Sequence, residues 1–321
     1  MRAGAPAGHR GFFHEAALYH SDEEFLAIVT PFVEEGLAAG EPVVAAFGPR
    51  RQALLRDRLD GTDGTGGAVD YLAGEEHYAR PATAIRRYRE LLAEHVAAGA
   101  AQIRIAGEIP HLGAAGPWDW WGRYEAACNH AYDDFPLWGL CMYDMRVTPP
   151  DALEQVRCTH PFLATAAGHH PNPDFADPAD FLRGRPSTWR DPLERTRPRL
   201  LLVDPMPAEV RAAVDAAGAH GGVDQADVRG LMLAANEVVT NAIVHGVPPV
   251  EVRVWTAERR ILVQVSDAGP GPRDPLVGLR PVRSATGGLG LWIAHQTCAY
   301  VDLRQEHGRF TVRLVAGRPE T

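Results

Sequence analysis

The chain of 321 residues contains no lysine; all 32 of its basic residues are arginine. That absence removes the phosphate-binding lysine of a P-loop, any Schiff-base lysine, and the nucleotide-binding lysine of eukaryotic-type protein kinases. Cysteine is scarce, and Cys128, Cys141, Cys158 and Cys298 are scattered without paired or metal-type spacing. A reduced, cytoplasmic protein is therefore expected. Positive charge is in deficit too: a formal net charge of -9 argues against a nucleic-acid grip, which needs a basic face. No apolar run approaches the length of a membrane span, and none follows the arginines of MRAGAPAGHR. Neither a membrane association nor a signal peptide is expected.

A chain of this length has room for two ordinary domains, and its patterning changes in the middle. The first half alternates helical and strand-like segments. EEFLAIVTPFVEEGLAAG (23–40), ATAIRRYRELLAEHVAAG (82–99) and WDWWGRYEAACNHAYDD (118–134) read as helices, with a last one beginning near Pro150. PVVAAF (42–47), AQIRIAGEI (101–109) and LWGLCMYD (137–144) read as strands. Such alternation predicts a mostly parallel sheet flanked by helices. Residues 169–198, rich in Pro, Asp and Arg, read as a linker with one short helix at its centre. Beyond it come a strand (199–203), helices 207–217 and 224–244, strands 251–256 and 260–267, a Gly/Pro-rich loop, a helix (287–298) and a closing hairpin (300–305, 309–315). Antiparallel strands with helices on one side predict an α+β sandwich.

The stretch LAANEVVTNAIVHG (233–246) places Glu237, Asn241 and His245 four residues apart. At roughly 100° per residue they form one polar stripe, with Met232, Ala235, Val239, Ala242 and Ile243 expected on the opposite face. An amphipathic surface helix shares this periodicity. Such helices usually carry several long charged side chains, whereas this stripe offers one carboxylate, one amide and one imidazole. Two further elements stand downstream. SDAGPGP (266–272) ends an alternating strand in Asp-x-Gly-x-Gly, which sets Asp267 at the rim of a sheet. TGGLGL (286–291) opens a helix with three glycines, leaving backbone N–H groups and the helix dipole free to meet an anion.

In this order the three elements resemble the ATPase superfamily shared by gyrase, histidine kinases, a heat-shock chaperone and the mismatch-repair ATPases. NEVVTNAIVHG is similar to its N box, DAGPG to its first glycine box and GGLGL to its second, over residues 200–316. The short form, without a helical dimerisation hairpin, resembles the anti-sigma serine/threonine kinases. The resemblance implies a two-layer α+β sandwich of the Bergerat type that binds ATP and Mg²⁺. It implies Asn241 as a Mg²⁺ ligand at the nucleotide and Glu237 as the general base for a substrate hydroxyl. Asp267 is implied to accept from the adenine amino group, with Gly269 and Gly271 letting the backbone pass close to the base. Gly288, Leu289 and Gly290 are implied to lie along the phosphates. Without lysine, phosphate charge falls to Mg²⁺, backbone amides and arginine, so Arg280 and Arg283 of the lid segment 272–286 are candidates. His245 is left between packing and a supporting role. Family members often carry Gly-Thr before the last strand, where this chain has HGRFTV, which weakens Thr311 as an adenine contact.

The first half carries its own resemblance. ALYHSDEEFLAIVTPFVEEGLAAGEPVVAAFGPRR is similar to the opening of the MEDS sensory domain, named for methanogens, methylotrophs and a dichloromethane regulator. WGLCMYDMRVTPPDALEQVRCTHP is similar to its close. The implied fold is a three-layer α/β domain, RecA-like, with the nucleotide machinery lost; after strand 42–47 the turn reads GPRR, with no Walker pattern. Arg104, Glu108, Glu125, Asn129 and Tyr143 lie near strand ends or on the adjoining helix, where α/β sheets hold ligands, and are candidates for a sensory pocket. Helix-surface polarity is the alternative for Glu125 and Asn129.

The domains expected are a MEDS-like sensory domain (12–168), the linker (169–198) and an ATP-binding, anti-sigma-type kinase domain (199–317). The function expected is a signalling regulator that senses a small molecule, phosphorylates an anti-anti-sigma (STAS-type) partner and sequesters a sigma factor; a homodimer is compatible with it. The alternative is a non-catalytic, nucleotide-dependent binding module. A histidine kinase would need a phosphoacceptor on a long dimerising helix before residue 200, and neither His160, next to Pro161, nor His169 and His170 fits one.

Overall fold

The computed structural model describes residues 9–60, 68–73, 81–109, 118–185, 190–279 and 289–317. The chain divides into two compact units, Met1–Gly184 and Arg185–Thr321. Among the described residues no helix is long and apolar enough to cross a membrane. All four cysteines are free thiols.

The first unit is built on seven strands in the order β3-β2-β4-β5-β1-β6-β7. These are β1 (Phe13–Tyr19), β2 (Val43–Phe47), β3 (Asp70–Ala73), β4 (Ile103–Gly107), β5 (Leu137–Asp144), β6 (Phe162–Thr165) and β7 (Gly168–Pro171). Every pair is parallel except β6 with β7. VVAAF and IRIAG are buried along their whole length, as strands covered on both faces must be. On one face pack α1 (Asp22–Ala38) and α2 (Pro49–Asp60). Phe25, Val29, Phe32 and Val33 of α1 meet Phe13, Ala17, Trp138, Leu140 and Met142. The remaining helices are α3 (Pro81–Ala97), α4 (Trp118–Ala131), α5 (Pro150–Thr159) and α6 (Pro178–Gly184), and they pack among themselves. Val156 of α5 meets Ala16 and Tyr143, the residues of alternate parity on β1 and β5, so α5 lies on the opposite face from α1.

The segment expected to be a linker with one short helix at its centre holds that helix, α6, with further folded elements beside it. Residues 168–171 add β7 to the sheet, Asn172 donates to the carbonyls of Arg157 and His160 at 2.6 and 2.7 Å, and α6 buries Phe181 and Leu182. Its prolines sit where proline is tolerated: Pro171 closes an edge strand and Pro178 opens a helix.

The second unit is a five-stranded antiparallel sheet, β11-β12-β10-β9-β8. Its strands are β8 (Leu200–Val203), β9 (Glu251–Ala257), β10 (Arg260–Asp267), β11 (Tyr300–Glu306) and β12 (Arg309–Gly317). Val252, Val254, Ile261, Val263, Val265, Val312 and Leu314 alternate onto one face. Three helices pack with them: α7 (Pro207–Gly221), α8 (Gln225–His245) and α9 (Leu289–Thr297). α8 buries Val228, Leu231, Ala235, Val238 and Ala242, a stripe at helical spacing. Ile243, expected on this buried face, is 48 % exposed; it lies one residue, roughly 100°, beyond Ala242 at the edge of the stripe.

The other face of this sheet carries charge. Arg313 of β12 is buried and holds Glu194 (2.9 Å), Asp302 (3.5 Å) and Glu306, while Arg260 pairs with Asp191 at 3.3 Å. These contacts, with the Trp255 indole donating to the Thr196 carbonyl (3.0 Å), fasten the second half of the expected linker to the sheet. Arg313→Met is expected to destabilise the chain by about 3 kcal/mol or more, because it removes the buried guanidinium that the buried Asp302 and the half-buried Glu194 and Glu306 share. Chemical denaturation reads that loss.

Candidate functional site

α8 begins at Asp224, whose carboxylate accepts from the Ala226 N–H, and it ends at Gly246. From its last turns the helix presents Asn241 and His245 to a cavity of about 370 Å³. Val238, Ala242, Val265, Leu291, Phe310 and Val312 form apolar walls, and Asp267 stands at the end of β10. Asp267 is buried, and its Oδ1 accepts from the N–H groups of Val247 (3.0 Å) and Gly269 (2.7 Å). Its Oδ2 accepts no hydrogen bond among the described residues, so one carboxylate oxygen is anchored and the other is free for a donor. Asn241 is half-buried and its amide makes no hydrogen bond among the described residues.

Two glycines explain the tightness of the site. Gly271 has φ +72°, and a Cβ there would stand 2.3 Å from the Phe310 ring. A Cβ on Gly290 would stand 2.8 Å from Glu237 Oε2. Glu237, one turn before Asn241, therefore lies against the start of α9, where helix geometry leaves the first N–H groups without an intrahelical partner. The structure thus brings Glu237, Asn241, Asp267, Gly269, Gly271 and Gly290 around one region of the second unit. Leu289 opens α9 and is exposed. Gly288, Arg280 and Arg283 lie outside the described residues. His245 is exposed at the cavity, and Thr311 is buried opposite Ser266. Phe310, beside Thr311, lines the cavity instead; alternation along β12 was the signal that could have found it.

The five candidates of the first unit separate. Arg104 points to the α1 face: it donates to Glu41 (2.5 Å) and the Phe32 carbonyl (2.9 Å), with its guanidinium 4.5 Å from the Trp138 ring. Its neighbours in β4, Ile105 and Gly107, face the other way onto a small cavity. Glu108 accepts from the Tyr19 hydroxyl at 3.3 Å. At the carboxyl edge of β1 and β5, Arg51 bridges Asp22 (2.5 Å) and Asp144 (2.6 Å), and Arg146 holds both carboxylates. Arg51, Arg50 and Arg146 hold the Asp22 carboxyl well below the usual carboxylate range. Asp22, Glu23 and Glu24 occupy the first turn of α1, so the chain's own carboxylates meet that helix dipole.

Glu125, Asn129 and Tyr143 do converge, and they meet three residues that sequence reading left aside: His14, Cys141 and His160. Tyr143 donates to Glu125 Oε1 at 2.8 Å. Burial pushes the Glu125 carboxyl and the Cys141 thiol up, and pushes His14 down to about 4 and His160 down to about 3. His160 is fully buried at the end of a ten-residue helix, which leaves no access for a phosphoacceptor role. No local spacing announces this group, because its members come from β1, α4, β5 and the end of α5.

Residues 13–161 match the family described as MEDS, the methanogen/methylotroph, DcmR sensory domain. Residues 204–316 match the histidine kinase-like ATPase domain. No curated protein matches the chain. Among solved structures, the RsbU and RsbW domains of Rv1364c from Mycobacterium tuberculosis are 23 % identical, with a TM-score of 0.28. That likeness covers 39 % of this chain and 34 % of the other, so the chain spans about a third of that protein's length. The histidine kinase domain of the E. coli osmosensor EnvZ is 20 % identical over 39 % of this chain and 92 % of that one, with a TM-score of 0.24.

Proposed function

Because the chain joins a MEDS sensory domain to a histidine kinase-like ATPase domain, and is thereby a two-domain signalling regulator, we propose that it is an ATP-dependent serine/threonine kinase of the anti-sigma type. Its substrate on this reading is a small anti-anti-sigma protein of the STAS type, and the partner it sequesters is a sigma factor. The sensory domain is read as a RecA-like core without nucleotide machinery, in keeping with the acidic first turn of α1.

The observation that supports the reading best is Asp267, which lines an apolar cavity beside Asn241; among the described residues neither its Oδ2 nor the Asn241 amide has a hydrogen-bond partner. The cavity's volume of about 370 Å³ falls within the range of ordinary small-molecule pockets. A flat base fits between apolar walls, and the Asp267 oxygen accepts from its exocyclic amine. Asn241 offers the amide oxygen that a hard divalent cation prefers. Mg²⁺, when bound with ATP, supplies the neutralisation of phosphate charge that a lysine supplies elsewhere. Glu237, against the first turn of α9, accepts the proton of the partner's hydroxyl. The free N–H groups of that turn hold phosphate oxygens.

Mg²⁺ and ATP together are expected to raise the melting temperature of the full chain. At about a hundred times the dissociation constant the ligand adds ~2.7 kcal/mol. Asp267→Asn is expected to weaken ATP by about tenfold, a loss of roughly 1.4 kcal/mol. The amide presents a donor or one weaker acceptor where the anchored carboxylate presents two oxygens. Titration calorimetry on both proteins reads the difference; equal affinities would remove Asp267 from the nucleotide site.

A further inference from the structure

A buried group of four donors remains unexplained by nucleotide chemistry. His14, Glu125, Cys141 and His160 each offer one ligand atom, and these four atoms all lie within 4.8 Å of one another. His14 Nε2 is 3.4 Å from Glu125 Oε2 and 3.5 Å from Cys141 Sγ, and His160 Nε2 is 3.6 Å from Glu125 Oε2. Bonds of about 2.0–2.3 Å in a tetrahedron separate the donors by roughly 3.3–3.7 Å. The three measured edges have that length without an ion to enforce it.

The fold fixes which way each donor points. Ala16 of β1 is in register with Cys141 of β5, so His14 and Cys141 share the face on which α5 lies. Asn129 Nδ2 donates to the carbonyls of Thr159 (2.9 Å) and Glu125 (3.1 Å), which settles the orientation of its amide. Its Oδ1 then accepts from His14 Nδ1–H at 3.1 Å. His160 Nδ1–H donates to the Val156 carbonyl at 2.8 Å. With both Nδ1 atoms committed as donors, both Nε2 atoms turn lone pairs into the cluster, His14 Nε2 toward Cys141 Sγ and Glu125 Oε2 and His160 Nε2 toward Glu125 Oε2. His160 Nε2 is buried and without a hydrogen-bond partner. Two imidazole lone pairs facing one carboxylate oxygen need positive charge between them. Imidazoles tied back through Nδ1–H to an oxygen are also the arrangement that histidine metal ligands adopt.

We propose that this cluster is a binding site for one divalent transition-metal ion of the zinc class, ligated by His14, Glu125, Cys141 and His160. Two nitrogens, a thiolate and one carboxylate oxygen select a borderline-soft ion and reject Mg²⁺. The charges balance: the ion replaces the thiol proton of Cys141, which is released to water, and meets the Glu125 carboxylate. Thiolate and carboxylate then cancel the ion's two positive charges, so the buried site is neutral. Tyr143, bonded to Glu125 Oε1, and Asn129, bonded to His14, position the ligands. A cavity of about 40 Å³ adjoins His14, Glu125 and Cys141. The site belongs to the sensory unit and stands independently of the ATP reading.

The test uses the full chain, reduced, stripped with a chelator and titrated with Co²⁺ under anaerobic conditions without nucleotide. One equivalent is expected to bind with a thiolate-to-cobalt charge-transfer band and the intense visible bands of a tetrahedral ion. Cys141→Ser is expected to lose the charge-transfer band, whereas Cys158→Ser, outside the cluster, keeps it. Zn²⁺ is expected to raise the melting temperature of wild type, and Glu125→Gln to weaken Zn²⁺ by about tenfold or more. If Cys141→Ser fails to fold, Glu125→Gln still decides the matter by calorimetry. Absence of a charge-transfer band in wild type, its survival in folded Cys141→Ser, or unchanged Zn²⁺ affinity in Glu125→Gln overturns the site. Asp267→Asn is expected to leave every one of these readings unchanged, so failure here and failure of the ATP reading are separate results.

Discussion

Glu237→Gln is expected to cut phosphate transfer to a STAS-type partner by about 10²–10⁴-fold, the usual worth of a general base, while ATP affinity changes little. The reason lies in where the side chain sits. Glu237 stands one turn before Asn241 and packs its carboxylate against Gly290 at the start of α9. It is not among the residues lining the apolar cavity, so nucleotide affinity has little reason to depend on it. Glutamine keeps the volume and the contact with Gly290 but cannot take a proton. A fall in kcat at unchanged ATP affinity identifies an interaction made only during transfer. A parallel loss of ATP affinity would instead place Glu237 among the binding groups.

Asn241→Ala is expected to abolish the Mg²⁺-dependent part of nucleotide binding, and with it all phosphate transfer. Wild type and variant should bind ATP equally when Mg²⁺ is withheld. Helix stability offers no rival explanation, because the Asn241 amide makes no hydrogen bond among the described residues and alanine is the better helix former. Calorimetric titrations with and without Mg²⁺ separate the two terms. A variant that keeps the full Mg²⁺ effect would remove Asn241 as the metal ligand.

Much of the second unit was legible because its signals are local. Alternation in RILVQVSD marks β10 to the residue, and one helix carries Glu237 and Asn241 at a spacing that any helix would stack. Asp267 and its glycines follow directly from that strand. The wall contributed by Phe310 was less visible, since it reaches the site only through the long-range pairing of β12 with β10, which sets Phe310 opposite Asp267. In the first unit the alternating segments announced a parallel sheet; the composition of residues 169–198 announced the short helix α6, but neither β7 nor the ion pairs further along. Proline there sits at strand and helix ends, and the carboxylates Asp191 and Glu194 meet Arg260 and Arg313. The His14, Glu125, Cys141 and His160 group was invisible for a different reason. Its members are joined by sheet register and helix packing, so the scattered cysteines gave no metal-type spacing to read. Arg104, by contrast, looked like a ligand group and is a core ion pair, because β4 turns it toward α1.

The most direct test of kinase against binding module is a single assay: full-length wild type, Mg²⁺, γ-labelled ATP and a cognate STAS-type protein. The result predicted is label on a serine or threonine of the partner, dependent on Mg²⁺, lost in Asn241→Ala and reduced by about 10²–10⁴-fold in Glu237→Gln. The contradicting result is a partner held tightly only when nucleotide is present, with no label transferred by wild type.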